Sequence, residues 1–210
     1  GWGRLLSFDA FVAIWRAILL VTLVWLAGPL TLPVLLLLPV ASEVNAGNIQ
    51  ILLAAAIVAG FRHPAAWAFP LLTKFTCGIG LLWFAVRREW RNLAVAVGVA
   101  AAIAVATFVL WPDRWTAYLG FVGVGAPNLP AEPPLQWPLA VRLPIAIGLA
   151  ILAAVRGWRW LLVIASVVAL PLFYIPSFAM LVGVLPYVRA WGGRRLIGLI
   201  PRPAGAPEVA

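Results

Sequence analysis

Ala68-Phe69-Pro70-Leu71-Leu72-Thr73-Lys74-Phe75-Thr76-Cys77-Gly78-Ile79-Gly80-Leu81-Leu82-Trp83-Phe84 places the only lysine of the chain in the middle of an apolar run. An ammonium in hydrocarbon costs at least about 2.5 kcal/mol unless water or an anion meets it, so a lysine kept there marks a functional position. Basic turns flank the run, Phe61-Arg62-His63-Pro64 before it and Arg87-Arg88-Glu89-Trp90-Arg91 after it. A single straight helix over 65–86 would be about 33 Å long at ~1.5 Å per residue, enough to cross a bilayer and to leave the two basic turns on opposite faces. Basic turns collect on the cytoplasmic face. The sequence therefore predicts two half-helices meeting at Lys74-Phe-Thr-Cys-Gly78, with both turns on one side. Broken helices at membrane depth are tolerated where they line a cavity.

The whole chain is apolar enough to support that frame. Of 210 residues, 65% are hydrophobic and 10% charged, with 12 Trp and 18 Pro and a mean hydropathy of +1.07. The apolar stretches are continuous and rich in Leu, Ala and Val, whereas barrel strands would alternate over ~10 residues. The fold class expected is all-α, a polytopic transmembrane helical bundle with broken or short half-span helices. The net charge of +9 resides in short clusters between apolar segments, as cytoplasmic turns require. No continuous basic face is visible, which argues against nucleic acid as a partner. A lone Cys77 forms no intrachain disulfide, and with His63 as the only histidine no metal site is expected.

In chain order, a first span is expected over 9–25, closed by Gly28-Pro29, and 30–40, with Pro33 and Pro39, is too short to cross alone. Residues 41–50, Ala-Ser-Glu-Val-Asn-Ala-Gly-Asn-Ile-Gln, form the longest polar interruption of the first half and read as a loop. Helix resumes over 48–60. Residues 93–111 form a clean span, 112–138 a long extracytoplasmic loop, and 139–155 a returning span that ends in the basic turn Arg156-Gly-Trp-Arg159. A second out-and-back pair follows over 161–188, broken at Pro171-Leu-Phe-Tyr-Ile-Pro-Ser177 and ending in Arg189 and Arg194-Arg195. One membrane-embedded domain covers 1–200, and 201–210 reads as a disordered tail. The chain opens Gly1-Trp-Gly-Arg4 without Met or a signal architecture, and the expectation is a C-terminal fragment lacking upstream helices.

With Asp9 outside, this topology brings the 43–48 loop, the Lys74 break, Arg142 and the 171–177 break toward the outer side. A cavity lined by Lys74 and Arg142 with Glu43, Asn48, Gln50 and Thr76 suits a phosphate-bearing lipid carrying a sugar: the cations neutralise phosphate and the amides and carboxylate bond hydroxyls. Trp111, Trp115, Tyr118 and Trp137 flank the outer loop, where a sugar ring could stack or the rings could anchor at the interface. Asp9 and Glu43 are the carboxylates at plausible depth for general-base chemistry.

Ser42-Glu43, Gly47-Asn48-Ile49-Gln50, the Ala-rich helix to Gly60-Phe61-Arg62, and Leu72-Thr73-Lys74-Phe75-Thr76-Cys77-Gly78 running to Arg87-Arg88-Glu89-Trp90-Arg91 together resemble the family 87 glycosyltransferases. The resemblance covers roughly residues 5 to 190, and 42–91 carries most of it. These are multi-spanning enzymes of the GT-C class, typically actinobacterial and similar to mannosyltransferases that use polyprenyl-phosphate sugars. The resemblance implies a bacterial plasma-membrane protein that moves a hexose or pentose, most simply mannose, from a polyprenyl-phosphate donor to a glycolipid or cell-envelope glycan. It implies inversion at the anomeric carbon and no nucleotide sugar, metal or cofactor. Two departures stand out. Cys77 occupies the place of the family's usual proline, and no segment matches the first external loop with its catalytic aspartate, which is then expected upstream of Gly1.

Other readings of the same residues stay open. Lys74 and Arg142 could snorkel to an interface, Asn48 and Gln50 could bond neighbouring helices, Glu43 could solvate a loop, and Asp9 could serve the dipole of its helix. A lipid or small-solute transporter also builds midplane anion sites from broken helices. Such proteins commonly carry related halves, and the breaks at Lys74 and at 171–177 share no residue pattern.

Overall fold

The computed structural model describes residues 7–123, 137–172 and 174–190. The expected 124–136 part of the outer loop, the Arg194-Arg195 pair and the 201–210 tail lie outside the described residues. The fold is an all-α polytopic bundle, without a strand among the described residues.

Helix α1, Phe8–Ala27, starts at Ser7, whose Oγ accepts the Ala10 N–H at 3.2 Å, with Asp9 in the first turn where the dipole favours an acid. Gly28-Pro29 does not close the span as the sequence reading expected. Gly28 takes φ +56° and one 3₁₀ turn leads straight into α2, Thr31–Leu35, so the helical run extends over 28 residues from Phe8 to Leu35. Pro29 and Pro33 each fall in a first turn, where the missing N–H has no intrahelical partner to lose. The guanidinium of Arg189 lies against Gly28 where a Cβ would stand, and its Nη1 donates to Leu26 O at 3.5 Å.

The stretch 41–50 is also not the loop expected. Helix α3, Leu38–Ala46, carries most of it and α4, Gln50–Gly60, follows after a bend of 103°. Gly47 provides the αL cap at φ +69°, its N–H returning to Glu43 O, the kind of stop glycine is suited to. The polar letters misled because Glu43 and Gln50 turn inward at the bend of a helix pair, while Asn45 and Asn48 stay exposed.

The 65–86 run is broken as predicted. A 3₁₀ turn, Pro64–Trp67, leads into α5, Ala68–Thr73. Lys74 then leaves the helix at φ −142°, ψ 79°, and a 3₁₀ stretch, Phe75–Leu81, passes into α6, Leu82–Val86. Trp67 fills the space between the flanking segments. A Cβ at Gly60 or Gly80 would overlap its indole, so both glycines are fixed by close approach. Helices α7, Trp90–Leu110, and α8, Pro112–Gly123, come next, so the first part of the expected outer loop is helical. Helices α9, Leu139–Arg156, and α10, Arg159–Val168, are followed by a break and a 3₁₀ segment, Ile175–Val184, that continues helically to Ala190.

Three of these helices are long and apolar enough to cross a membrane, and a fourth span exists if the bent α3–α4 pair counts as one. The basic turns meet at one end. Phe61 packs edge-on against Trp83 at 4.9 Å, the Arg159 guanidinium stacks 5.3 Å from Phe61, and Arg87 Nη1 donates to Ala154 O at 3.2 Å. The core joins Leu19, Leu23 and Leu26 of α1 to Ile51 and Ile57 of α4, Leu162 of α10 and Met180. Elsewhere large apolar residues such as Val105, Phe108 and Val109 of α7 face outward, the arrangement a lipid solvent allows.

Candidate functional site

The bend between α3 and α4 turns a carboxylate inward. Glu43 lies on the last turns of α3 and is fully buried, and its Oε1 accepts the backbone N–H of Gln50 at the start of α4. That bond ties the carboxylate to a helix N-terminus, where exposed N–H groups and the dipole favour negative charge. The Asn48 side chain lies beside the same carboxylate. The Nε1 of Trp15 donates to Gly47 O at 2.7 Å and Arg16 Nη2 donates to Asn45 O at 3.0 Å, so α1 clamps the turn from outside.

The second wall comes from the break at Lys74. Its backbone N–H still bonds Pro70 O and its carbonyl accepts the Cys77 N–H, both at 2.8 Å, which pins the break at a defined place. The Lys74 side chain is half-buried and close enough to Glu43 for mutual attraction, yet the ion pair found among the described residues is Arg87–Glu89, elsewhere. Lys74 makes no side-chain hydrogen bond among the described residues. Thr76 follows on the 3₁₀ stretch, and Cys77 Sγ approaches Ser166 O at 3.9 Å, seating that stretch on α10.

Glu43 Oε2, Gln50 Oε1 and Thr76 Oγ1, like Trp67 Nε1 in the core, are buried without a partner among the described residues. Glu43, Gln50 and Thr76 are 0%, 5% and 5% exposed. Each such atom costs about 1–3 kcal/mol when left unmet. Native proteins leave few of them, so each is a position whose partner the described residues do not supply. Glu43 Oε2 and Gln50 Oε1 require donors, which hydroxyl groups supply, while the Lys74 ammonium requires an anion.

The structure thus brings Glu43, Asn48, Gln50 and Lys74 together, with Thr76 on the adjoining stretch. Two expected residues play no part there. Asp9 is exposed on the first turn of α1, above the Trp15 and Arg16 contacts, consistent with service to its own helix. Arg142 is committed to the fold. Its Nε donates to Trp137 O at 2.7 Å, Nη1 to Val168 O and Leu170 O at 3.2 and 2.8 Å, and Nη2 to Pro171 O at 3.3 Å. A cation bonded to the last carbonyls of α10 is a C-terminal cap, and the structure places Arg142 there rather than beside Lys74. Among the described residues no cluster of three His, Cys, Asp or Glu could hold a metal ion.

Two of the aromatic residues expected to flank the outer loop, Trp115 and Tyr118, stand on helix α8 rather than in a loop, a setting the sequence reading did not foresee. Helix α8 leans on α5, where Leu72, Arg114, Trp115 and Tyr118 line a cavity of about 230 Å³ two residues from Lys74. Trp115 is held by its Nε1–H donating to Thr107 Oγ1 at 3.2 Å and packs edge-on with Tyr118. The run Trp115-Thr-Ala-Tyr118, spaced i to i+3, was the available signal.

The fold defines a polytopic helical membrane protein, with a buried carboxylate at the α3–α4 bend near a lysine at a helix break. No protein-family model, curated protein or solved structure matches the chain.

Proposed function

We propose that the chain forms the sugar-donor pocket of an integral-membrane glycosyltransferase of the GT-C kind, resembling family 87, in a bacterial plasma membrane. The donor is a polyprenyl-phosphate sugar, most simply mannose, and the acceptor is a hydroxyl of a glycolipid or cell-envelope glycan. The observation that carries the reading is the lone lysine at a helix break, near the buried Glu43 carboxylate whose second oxygen has no partner among the described residues. Lys74 meets the phosphate, Glu43, Asn48 and Gln50 meet sugar hydroxyls, and Trp115 and Tyr118 offer aromatic faces beside Arg114.

The reaction is a displacement. The acceptor oxygen forms a bond to the anomeric carbon, the bond from that carbon to the phosphate oxygen breaks, and the electron pair leaves with polyprenyl phosphate. The acceptor proton goes to a carboxylate. Glu43 fits that role among the described residues, because one oxygen is fixed by the Gln50 N–H and the other is unpartnered. Lys74 stabilises the charge that grows on the leaving phosphate, where a preorganised cation in a site shielded from water acts most strongly.

The test is transfer of radiolabelled mannose from a polyprenyl-phosphate donor in membranes containing wild type, Lys74→Met or Glu43→Gln. Loss of lipid-linked product by both variants, with insertion intact, is expected. Undiminished product from Lys74→Met refutes the site. Movement of the labelled donor across the vesicle without a new glycosidic bond would instead favour a transporter.

A further inference from the structure

The end of α4 away from Glu43 faces a part of the bundle with a groove that the sugar-transfer reading does not use. It has a volume of about 780 Å³ and lies between the start of α10 and the final helical turns, lined by Trp158, Arg159, Trp160, Ile164, Tyr187 and Val188. That volume is far beyond one side chain and falls in the range of small-molecule sites, roughly 300–1,000 Å³. Trp158 and Trp160 stack with their rings 5.9 Å apart, and the Arg156 guanidinium covers Trp158 at 5.5 Å. Tryptophans of this kind sit at the headgroup level of a bilayer.

Charge decides the occupant. Arg159 lines the groove, Arg156 covers its Trp158, and Arg87 reaches the nearby Ala154 O. Among the described residues the acid at this end is Glu89, and it is paired with Arg87 at 3.0 Å. The Arg159 guanidinium lines the groove, stacks on Phe61 and lies near Tyr187, and it forms no ion pair with a described acid. Below it the groove wall turns apolar through Ile164, Val184 and Val188. A basic, donor-rich mouth above an apolar channel fits an amphiphile with an anionic head.

We propose that this groove binds one anionic phospholipid of the leaflet on the basic side, its phosphate on Arg159 and one acyl chain against Ile164 and Val188. The full chain carrying p-benzoylphenylalanine at Val188 is reconstituted in vesicles of equal dioleoyl phosphatidylglycerol and dioleoyl phosphatidylcholine, irradiated, and weighed by mass spectrometry. Phosphatidylglycerol adducts should exceed phosphatidylcholine adducts about fivefold, the preference that one surface arginine gives an anionic lipid. Arg159→Gln should bring the ratio near one, and Arg159→Lys should keep most of the preference. Equal adducts in the otherwise unchanged chain overturn the proposal without reference to any variant. So does an unchanged ratio in Arg159→Gln, or cross-linking to residues 191–210 in place of lipid.

Discussion

Replacing Glu43 in two ways separates a chemical role from a bracing one. Glu43→Gln keeps the size of the side chain and an acceptor for the Gln50 N–H, and removes only the charge. The lost attraction to Lys74, which is half-buried and not ion-paired with Glu43, is set against the relieved desolvation of a fully buried carboxylate, and the two oppose each other. Stability should change by less than about 1 kcal/mol. Glu43→Ala leaves the Gln50 N–H buried and unmet, which costs about 1–3 kcal/mol, and opens a space in a close-packed corner. A total loss of about 2–4 kcal/mol is expected. Unfolding in mixed micelles titrated with a denaturing detergent reads both. Mannosyl transfer should fall in both variants alike, by about 10²–10⁴-fold if the carboxylate takes the acceptor proton. A Glu43→Gln protein as unstable as Glu43→Ala would mean that the charge itself braces the α3–α4 corner against Lys74, and the catalytic reasoning would fail.

Other outcomes follow from the same geometry. Gly80→Ala should destabilise the bundle by about 1–3 kcal/mol, because the new methyl overlaps the Trp67 indole, and adding Trp67→Phe should recover part of that loss; full stability in Gly80→Ala would deny the close approach. Arg142→Gln should lower stability by about 2–4 kcal/mol through the carbonyls it abandons at the end of α10 while leaving donor affinity unchanged, whereas a selective loss of donor binding would return Arg142 to the site. Single cysteines at His63 and Arg88 in a Cys77→Ala background should both react with an impermeant thiol reagent from the same side of sealed vesicles. Reaction from opposite sides would contradict the break at Lys74.

The break was legible because two basic turns 23 residues apart cannot both face the cytoplasm unless the run between them turns back. The presence of Glu43, Asn48 and Gln50 beside Lys74 was legible only as chemistry, a lone cation needing an anion. The helix that carries Glu43 was not, since Ser42-Glu43 and Asn45 read as solvent-facing and the inward turn depends on the αL cap at Gly47 and the 103° bend. Arg142 misled for the opposite reason. Besides Trp137 O its partners are backbone carbonyls 26 to 29 residues away at the end of another helix, and carbonyls leave no trace in a string of side chains. Helix α8 was hidden by Pro112, which begins a helix as readily as it ends one. The function of Gly60 and Gly80 is similarly silent in the letters, because what they make room for is Trp67.

Affinity for polyprenyl phosphate, measured by titrating the lipid into detergent-solubilised wild type and Lys74→Met, asks most directly whether the lysine is kept for an anion. Loss of one charge-assisted contact of about 1.5–3 kcal/mol predicts binding weaker by roughly 10- to 150-fold in the variant. Equal affinity in the two proteins would contradict the account.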